Sequence, residues 1–403
     1  MERIMKTAAV IAECNPFHKG HEYLIRTARE RTGADRIIVL LSGNYVQRGI
    51  PAVTERHVRA KMAVLGGADL VLAYPTRFAT ASAEAFAFHA VQILDRIRCA
   101  DYLVFGSESG NLGELTEAAA FFSEENLQFQ NDLQNNLKRG ETFARARAEA
   151  AGEYGRAVES PNNILAVEYL KALRKTGSEM KPFTVKRFTG ENTADEKTSV
   201  YSASILRDRI RENPNLRGVE KEIPEVCADI LKEDLLAEGT VCEDDLSLLL
   251  QDRLLRAETA EELLRYQDVK KEFAASAFRE RNRCARFSEF AELMHTKNRT
   301  HSSVNRALLH IALGIREERF SEKAYWTQIL SFRKDAGDLM HLIKENTSVP
   351  VIAKAADADK ILSEEALTFF REEMRVCDIY GAIRAGKSGK SFSPEVSKPP
   401  VIV

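Results

Sequence analysis

The sequence has no CxxC pair and a single tryptophan. It also has no apolar run near the roughly 20 residues needed to cross a bilayer. The six cysteines, Cys14, Cys99, Cys227, Cys242, Cys284 and Cys377, are scattered. That scatter excludes a cysteine zinc site and a disulfide framework, and it points to reduced thiols in a cytoplasm. The N-terminus, "MERIMKTAAVIAEC", has too short an apolar stretch for a secretory signal, so a cytoplasmic location with no membrane partner is expected. There is no GxxxxGK[ST] and no GxGxxG after the first apolar run, which argues against P-loop and dinucleotide folds. A formal net charge of −2 excludes a chain that binds polyanions through bulk charge. No internal repeat is visible, and the pattern carries no signal of oligomeric state.

What is present is ordinary globular composition, 44% hydrophobic and 29% charged over 403 residues, enough for two or three domains with their own cores. The first half alternates. "TAAVIAEC" (7–14), "DRIIVLLSG", "ADLVLAYP" and "ADYLVFGSE" read as buried strands. "HEYLIRTARERTG", "TERHVRAKMAVLGG" and "SAEAFAFHAVQILDRI" read as helices between them. This predicts an α/β fold with a doubly wound parallel sheet, whose ligands bind where the strand order reverses. Residues 110–160 read as a helical insertion, "PNNILAVEYLKALRK" as a helix and "KPFTVKRF" (181–188) as a fifth strand. After Asn213-Pro214 the strand signals stop. We therefore expect a first domain over 1–216, an all-α domain over 217–385 and a loosely attached tail over 386–403.

The segment "AECNPFHKGHEYL" (12–24) carries most of the chemical information. His18 and His21 stand where the first strand gives way to a helix, behind an Asn15-Pro16 turn and around Gly20. Free N–H groups and the positive end of the helix dipole make that junction an anion site. Two imidazoles three residues apart share one face of the first helical turn. A zinc site would need further ligands, for which Cys14, His57 and His89 have no familiar spacing. A plain helix start with two hydrogen-bonding histidines is the third reading of the tetrapeptide.

"YSASILRDR" (201–209) is a second anion-binding pattern: hydroxyls of Ser202 and Ser204 at a helix start, with Arg207 one turn on. Alone it reads equally as a serine cap beside a solvated arginine. From Lys271 to His310 there are eight Lys/Arg against four Glu, a local basic patch suited to a polyanion or to a solvated helix face. Trp326 and His89 read as core residues, and "QRG" (47–49) as a turn or a lining of the nucleotide crevice.

"NPFHKGH" together with "YSASILR" resembles the HxGH nucleotidyltransferase superfamily. The closer likeness is to the bacterial tRNA(Met) cytidine acetate ligases, through "LSGNYVQRGIPAV", "FGSE", "SPNNIL", "KPFTVKRF", "TKNRTHSSVNRALLHIALG" and "VPVIAK". These motifs span nearly the whole chain. The resemblance implies a Rossmann-like HxGH catalytic domain followed by a helical tRNA-binding domain. It further implies that ATP and acetate give acetyl-adenylate and pyrophosphate, and that the N4 amine of the wobble cytidine of elongator tRNA(Met) then takes the acetyl group. By the same resemblance His18 and His21 stabilise the α-phosphate transition state. Ile11, Ala12, Glu13, Asn15, Pro16, Phe17, Gly20 and Leu24 wrap ATP; Gly106, Asn162, Arg187, Ser204 and Arg207 complete its site; and Mg²⁺ is expected with the nucleotide. Arg283, Lys297, Arg299 and Arg306 are the candidate tRNA contacts. There are two departures: Cys14 stands where a tyrosine is common, and "TKNR" (296–299) replaces a "TKRY" element, removing an aromatic that could stack on a base. A nucleotidyltransferase acting on a small phosphorylated metabolite, or a non-catalytic RNA-binding protein, are the alternatives.

Overall fold

The computed structural model describes residues 5–124, 126–187, 203–297 and 299–403. β1 (Thr7–Ala12), α1 (Lys19–Thr32) and β2 (Arg36–Ser42) open the chain, followed by a small antiparallel hairpin, β3 (Tyr45–Val46) with β4 (Ile50–Pro51). Next come α2 (Arg56–Leu65), β5 (Leu70–Tyr74), α3 (Thr76–Ala79), α4 (Ala83–Ile97) and β6 (Tyr102–Ser107). Within the expected insertion lie α5 (Leu112–Ser123), α6 (Leu127–Lys138) and α7 (Phe143–Ala150); α8 (Pro161–Thr176) then leads into β7 (Lys181–Lys186). β5, β2, β1, β6 and β7 are parallel neighbours in that order. The order runs outward from β1 through β2 to β5, then jumps to β6 on the other side of β1. The reversal therefore falls between β1 and β6, the crevice where such sheets bind ligands.

The sheet is covered on both faces, which is why its strands read as continuous apolar runs. Ile37, Val39 and Leu41 point into one core with α1 and α2; Ile38 and Leu40 point into the opposite core with α4 and α8. His89 lies in α4, stacked on Phe78 and hydrogen-bonded through Nδ1 to the Tyr325 hydroxyl at 2.6 Å, a satisfied packing residue.

The second half is mostly helical, through α9 (Ala203–Glu212), α10 (Glu225–Glu238), α11 (Ser247–Arg256), α12 (Lys271–Glu280), α13 (Phe287–Met294) and α14 (His301–Leu313). α11 to α14 bury a separate core that includes Leu250, Phe273, Phe290 and Leu308.

Two expectations need correction. Strands do not end at Pro214. β8 (Thr327–Phe332) pairs antiparallel with β5. α15 (Gly337–Asn346), β9 (Val351–Ile352) beside β8, α16 (Ala358–Ile361) and the long α17 (Glu364–Ser388) follow. Nor is the tail over 386–403 loose. β10 (Val401–Ile402) pairs parallel with β8 at the sheet edge. Glu395, 2% exposed, meets Arg56 Nη2 at 2.8 Å and His57 Nε2 at 2.6 Å, and Lys398 pairs with Glu55 at 2.7 Å. Arg56 is fully buried and also reaches Glu373 of α17 at 3.3 Å, so the tail supplies part of the counter-charge that this guanidinium requires.

Candidate functional site

The loop after β1 enters the crevice with Cys14 at a positive φ of 48° and a cis Asn15-Pro16 peptide. Its backbone is held by a guanidinium. Arg59 of α2, fully buried, donates to the carbonyls of Glu13 at 2.7 Å and Ser42 at 3.0 Å, and also to that of Gly43. One side chain thus ties together the carboxyl ends of β1 and β2. The signal for it was an arginine on the apolar side of "HVRAKMAVL", a type of residue rarely buried unless every donor is used.

His18 is the N-cap of α1. Its Nδ1 accepts from Gly20 N–H at 3.0 Å, and His21 Nδ1 accepts from His18 N–H at 3.3 Å, a reciprocal capping box made of two imidazoles. The ring centroids are 4.0 Å apart. Gly20 is required here: a Cβ would come within 2.7 Å of the His18 ring. Because both Nδ1 atoms accept, the proton of each neutral ring sits on Nε2, leaving two Nε2–H donors. Both rings are neutral at pH 7. Burial, with Arg187 and Arg207 nearby, lowers His18 to about 4. Burial, then His18 and Arg187, hold His21 well below the ordinary value.

Arg207 of α9 arrives from the far end of the α/β segment, buried, with Nη1 donating to Asn15 O at 3.1 Å. The two anion-binding patterns are therefore one site. Ser204 lies in the same helix, half-buried, while Tyr201 and Ser202 fall outside the described residues. Asn15 is anchored by Val53 N–H donating to its Oδ1 at 2.9 Å, and its buried Nδ2 has no protein partner among the described residues. Glu13 accepts from Gln47 N–H at 2.9 Å, which brings the "QRG" turn to the crevice. Burial raises the Glu13 carboxyl, against that hydrogen bond and the charges of Arg207, Arg48 and Arg59. Gly49 of the same turn has φ 74°, and a Cβ there would lie 2.4 Å from the Arg306 backbone nitrogen of α14. Close backbone approach thus seats the hairpin on the helical half.

From β6, Gly106 lies under Arg187, whose Cγ would be 3.4 Å from a Cβ at that glycine. Arg187 is exposed and bears electrostatically on both histidines. Asn162 is less free: its Nδ2 donates to Glu108 at 2.5 Å, and Ser160 Oγ and Asn163 N–H donate to the same carboxylate at 2.9 Å each. Burial pushes Glu108 up, but these hydrogen bonds outweigh it and hold the carboxyl below its ordinary value. Glu108 therefore occupies the N-terminus of α8, and nothing in the motif "FGSE" marked it for that role. Phe17 is wholly buried in the core against α1 and α2, so its ring supports His21 by stacking at 5.6 Å. Ala12 and Leu24 are half-buried against the same core, and Ile11 is half-buried against the opposite one.

The four basic candidates of the helical half separate. Arg283 and Lys297 are exposed, Arg283 3.0 Å from Glu280. Arg299 lies over the Phe273 ring at 5.7 Å. Arg306 is 11% exposed and paired with Asp268 at 3.3 Å. Asn298 lies outside the described residues.

The model of the HIGH Nucleotidyl Transferase family matches residues 5–392. A tRNA(Met) cytidine acetate ligase of Thermoanaerobacter sp. (strain X514) is 35% identical over 93% of this chain and 95% of its own. The ligase of Clostridium tetani is 34% identical over 87% and 90%. The chain belongs to the tRNA(Met) cytidine acetate ligase family. A crystal structure of TmcAL from Thermotoga maritima bound with alpha-thio ATP covers 99% of this chain and 100% of that one, with a TM-score of 0.88 at 26% identity. The family's ligase and nucleotide-binding character thus accompanies an α/β fold shared end to end. No helix among the described residues is long and apolar enough to cross a membrane.

Proposed function

We propose that this protein activates acetate with ATP as acetyl-adenylate, releasing pyrophosphate, and transfers the acetyl group to N4 of the wobble cytidine of elongator tRNA(Met), in the cytoplasm. The carrying observation is the pair of neutral imidazoles at the start of α1, both with Nε2–H donors, closed over by Arg207. Attack of an acetate oxygen on the α-phosphorus breaks the bond to the bridging oxygen of pyrophosphate and builds negative charge on the α-phosphate oxygens. Donors fixed before reaction stabilise that charge without reorganising. Arg207 and Arg187 add positive charge, and the unpartnered Asn15 Nδ2 supplies a further donor.

Glu13 is the carboxylate of the loop between β1 and α1, and no group of three protein metal ligands forms there among the described residues. Such a donor set fits Mg²⁺ held mainly by phosphate oxygens, where it would neutralise charge. In the second step the cytidine amine attacks the acetyl carbonyl, AMP leaves, and the amine loses a proton. The relatives' name supports tRNA(Met) as acceptor, and Arg283, Lys297 and Arg299 give the helical half a basic face for it.

The test is acetate-dependent exchange of pyrophosphate into ATP, with and without tRNA, in the wild type and in His21→Ala. Exchange in the wild type, its loss in the variant and acetylated tRNA(Met) as product are expected. Absence of both exchange and acetylated tRNA in the wild type overturns the reading.

A further inference from the structure

The segment "ELMHTKNRTH" (292–301) places three side chains of metal-ligating type at the junction of two helices, far along the sequence from the nucleotide motifs. Glu292 lies in the last turn of α13, His295 is that helix's C-cap, and His301 is the first residue of α14. The rings of His295 and His301 stack with centroids 3.7 Å apart and planes 8° apart. Glu292 Oε2 lies 3.7 Å from His301 Nδ1, and one donor atom of each residue falls within 4.8 Å of the other two. No other group of three such residues forms among the described residues.

The donors stand on fixed supports. Phe287, Phe290 and Met294 anchor α13 in the helical core, and Val304, Ala307 and Leu308 anchor α14. Glu292 is 74% and His301 60% exposed at the side chain, so each can turn toward a common ion without disturbing that core. Tetrahedral zinc at 2.0–2.2 Å from nitrogen and oxygen needs donor separations of about 3.4 Å, within reach of rotamer adjustment alone. Two imidazoles and a carboxylate suit Zn²⁺ or its neighbours and are poor ligands for Mg²⁺.

We propose that Glu292, His295 and His301 form a site for a zinc-type dication, with water in the fourth position. The ion ties the end of α13 to the start of α14 and so closes the turn that carries Lys297 and Arg299, itself bridged between Thr296 and Arg299. Service of that turn to tRNA rests on the function proposed above; the metal site does not.

The experiment uses the untagged full chain, stripped with a chelator and titrated with Co²⁺ for its ligand-field bands and then with Zn²⁺ in competition. One equivalent should bind with a dissociation constant on the order of micromolar, weakened about tenfold or more in His295→Ala and in His301→Ala. Glu292→Gln should weaken it less, and circular dichroism of all three should match the wild type. Zn²⁺ should slow tryptic cleavage after Lys297 and Arg299 in the wild type and have no effect in the histidine variants. Binding that survives both histidine substitutions, binding lost instead in His18→Ala, no saturation below about 1 mM, or cleavage indifferent to Zn²⁺ overturns the proposal. No nucleotide or RNA enters the assay, so its failure leaves the ligase reading untouched, and the converse holds.

Discussion

Arg207 Nη1 donates to the carbonyl of Asn15 at 3.1 Å across 192 residues of sequence. That bond joins the helix following β7 to the loop following β1. It converts two weak anion-binding patterns into one crevice at the point where strand order reverses. A lysine could supply charge but not the fork that spans a carbonyl and a phosphate. Arg207→Ala should lower acetate-dependent pyrophosphate exchange by about 10²-fold, with Arg207→Lys recovering only part of it. Steady-state exchange across ATP concentrations measures this, and unchanged rates in Arg207→Ala would remove the residue from the site.

His18 and His21 should act as neutral donors throughout the working range. His18 is lowered to about 4 and His21 lies well below its ordinary value, with burial the largest cause for both. A depressed histidine is already deprotonated at pH 6, so falling pH from 8 to 6 should not titrate either ring in the free enzyme. The exchange rate at low ATP should show no acid limb centred near 6.5. His21→Ala should cost about 10²–10³ in rate at every pH in that window. A wild-type profile with a break near 6.5 that disappears in His21→Ala would show that the ring titrates.

The parallel strands were legible because burial on both faces leaves a chemical trace: "IIVLL" (37–41) alternates between two cores, so every position is apolar. The helix start at His18 was equally plain, since its turn, glycine and caps are local. "TQILSF" was not, because it follows a helical stretch and owes its strand state to pairing with Leu70–Tyr74 far upstream. The tail "SPEVSKPPVIV" reads as loose by composition, and partners distant in sequence make it ordered: Arg56 and His57 for Glu395, Glu55 for Lys398 and β8 for β10. Glu108 was invisible for the same reason: its hydrogen bonds come from a helix some fifty residues later.

Glu395 should behave as a latch between the tail and α2. Burial alone would raise its carboxyl, but Arg56, His57 and Lys398 outweigh burial and hold it far below the ordinary value. A depressed carboxyl contributes stability that is present above its unfolded pKa and lost as pH falls through the folded one. Glu395→Gln keeps the shape and removes the charge that Arg56 needs, so it should destabilise by about 3–5 kcal/mol at pH 7. Urea unfolding at pH 7 and pH 4 measures the loss, which should shrink only at acid pH. A loss below 1 kcal/mol at pH 7 would mean that Glu373 alone satisfies Arg56.

Arg306 and Lys297 should separate stability from RNA binding. Lys297 is exposed, and among the described residues no ion pair holds it back from a phosphate. Burial lowers the Arg306 guanidinium while Asp268 opposes it, and its backbone seats Gly49 of the hairpin. Lys297→Ala and Arg299→Ala should each weaken tRNA binding and reduce the slope of log affinity against log salt by about one, with ATP binding unchanged. Arg306→Ala instead takes from the Asp268 carboxylate its guanidinium partner at 3.3 Å, and should lower the melting temperature before it alters the salt slope. Filter binding across salt concentrations and a thermal melt on the same preparations check both halves. A full salt-slope loss in Arg306→Ala with an unchanged melt would return that arginine to the RNA face, and an unchanged slope in Lys297→Ala would take the turn off it.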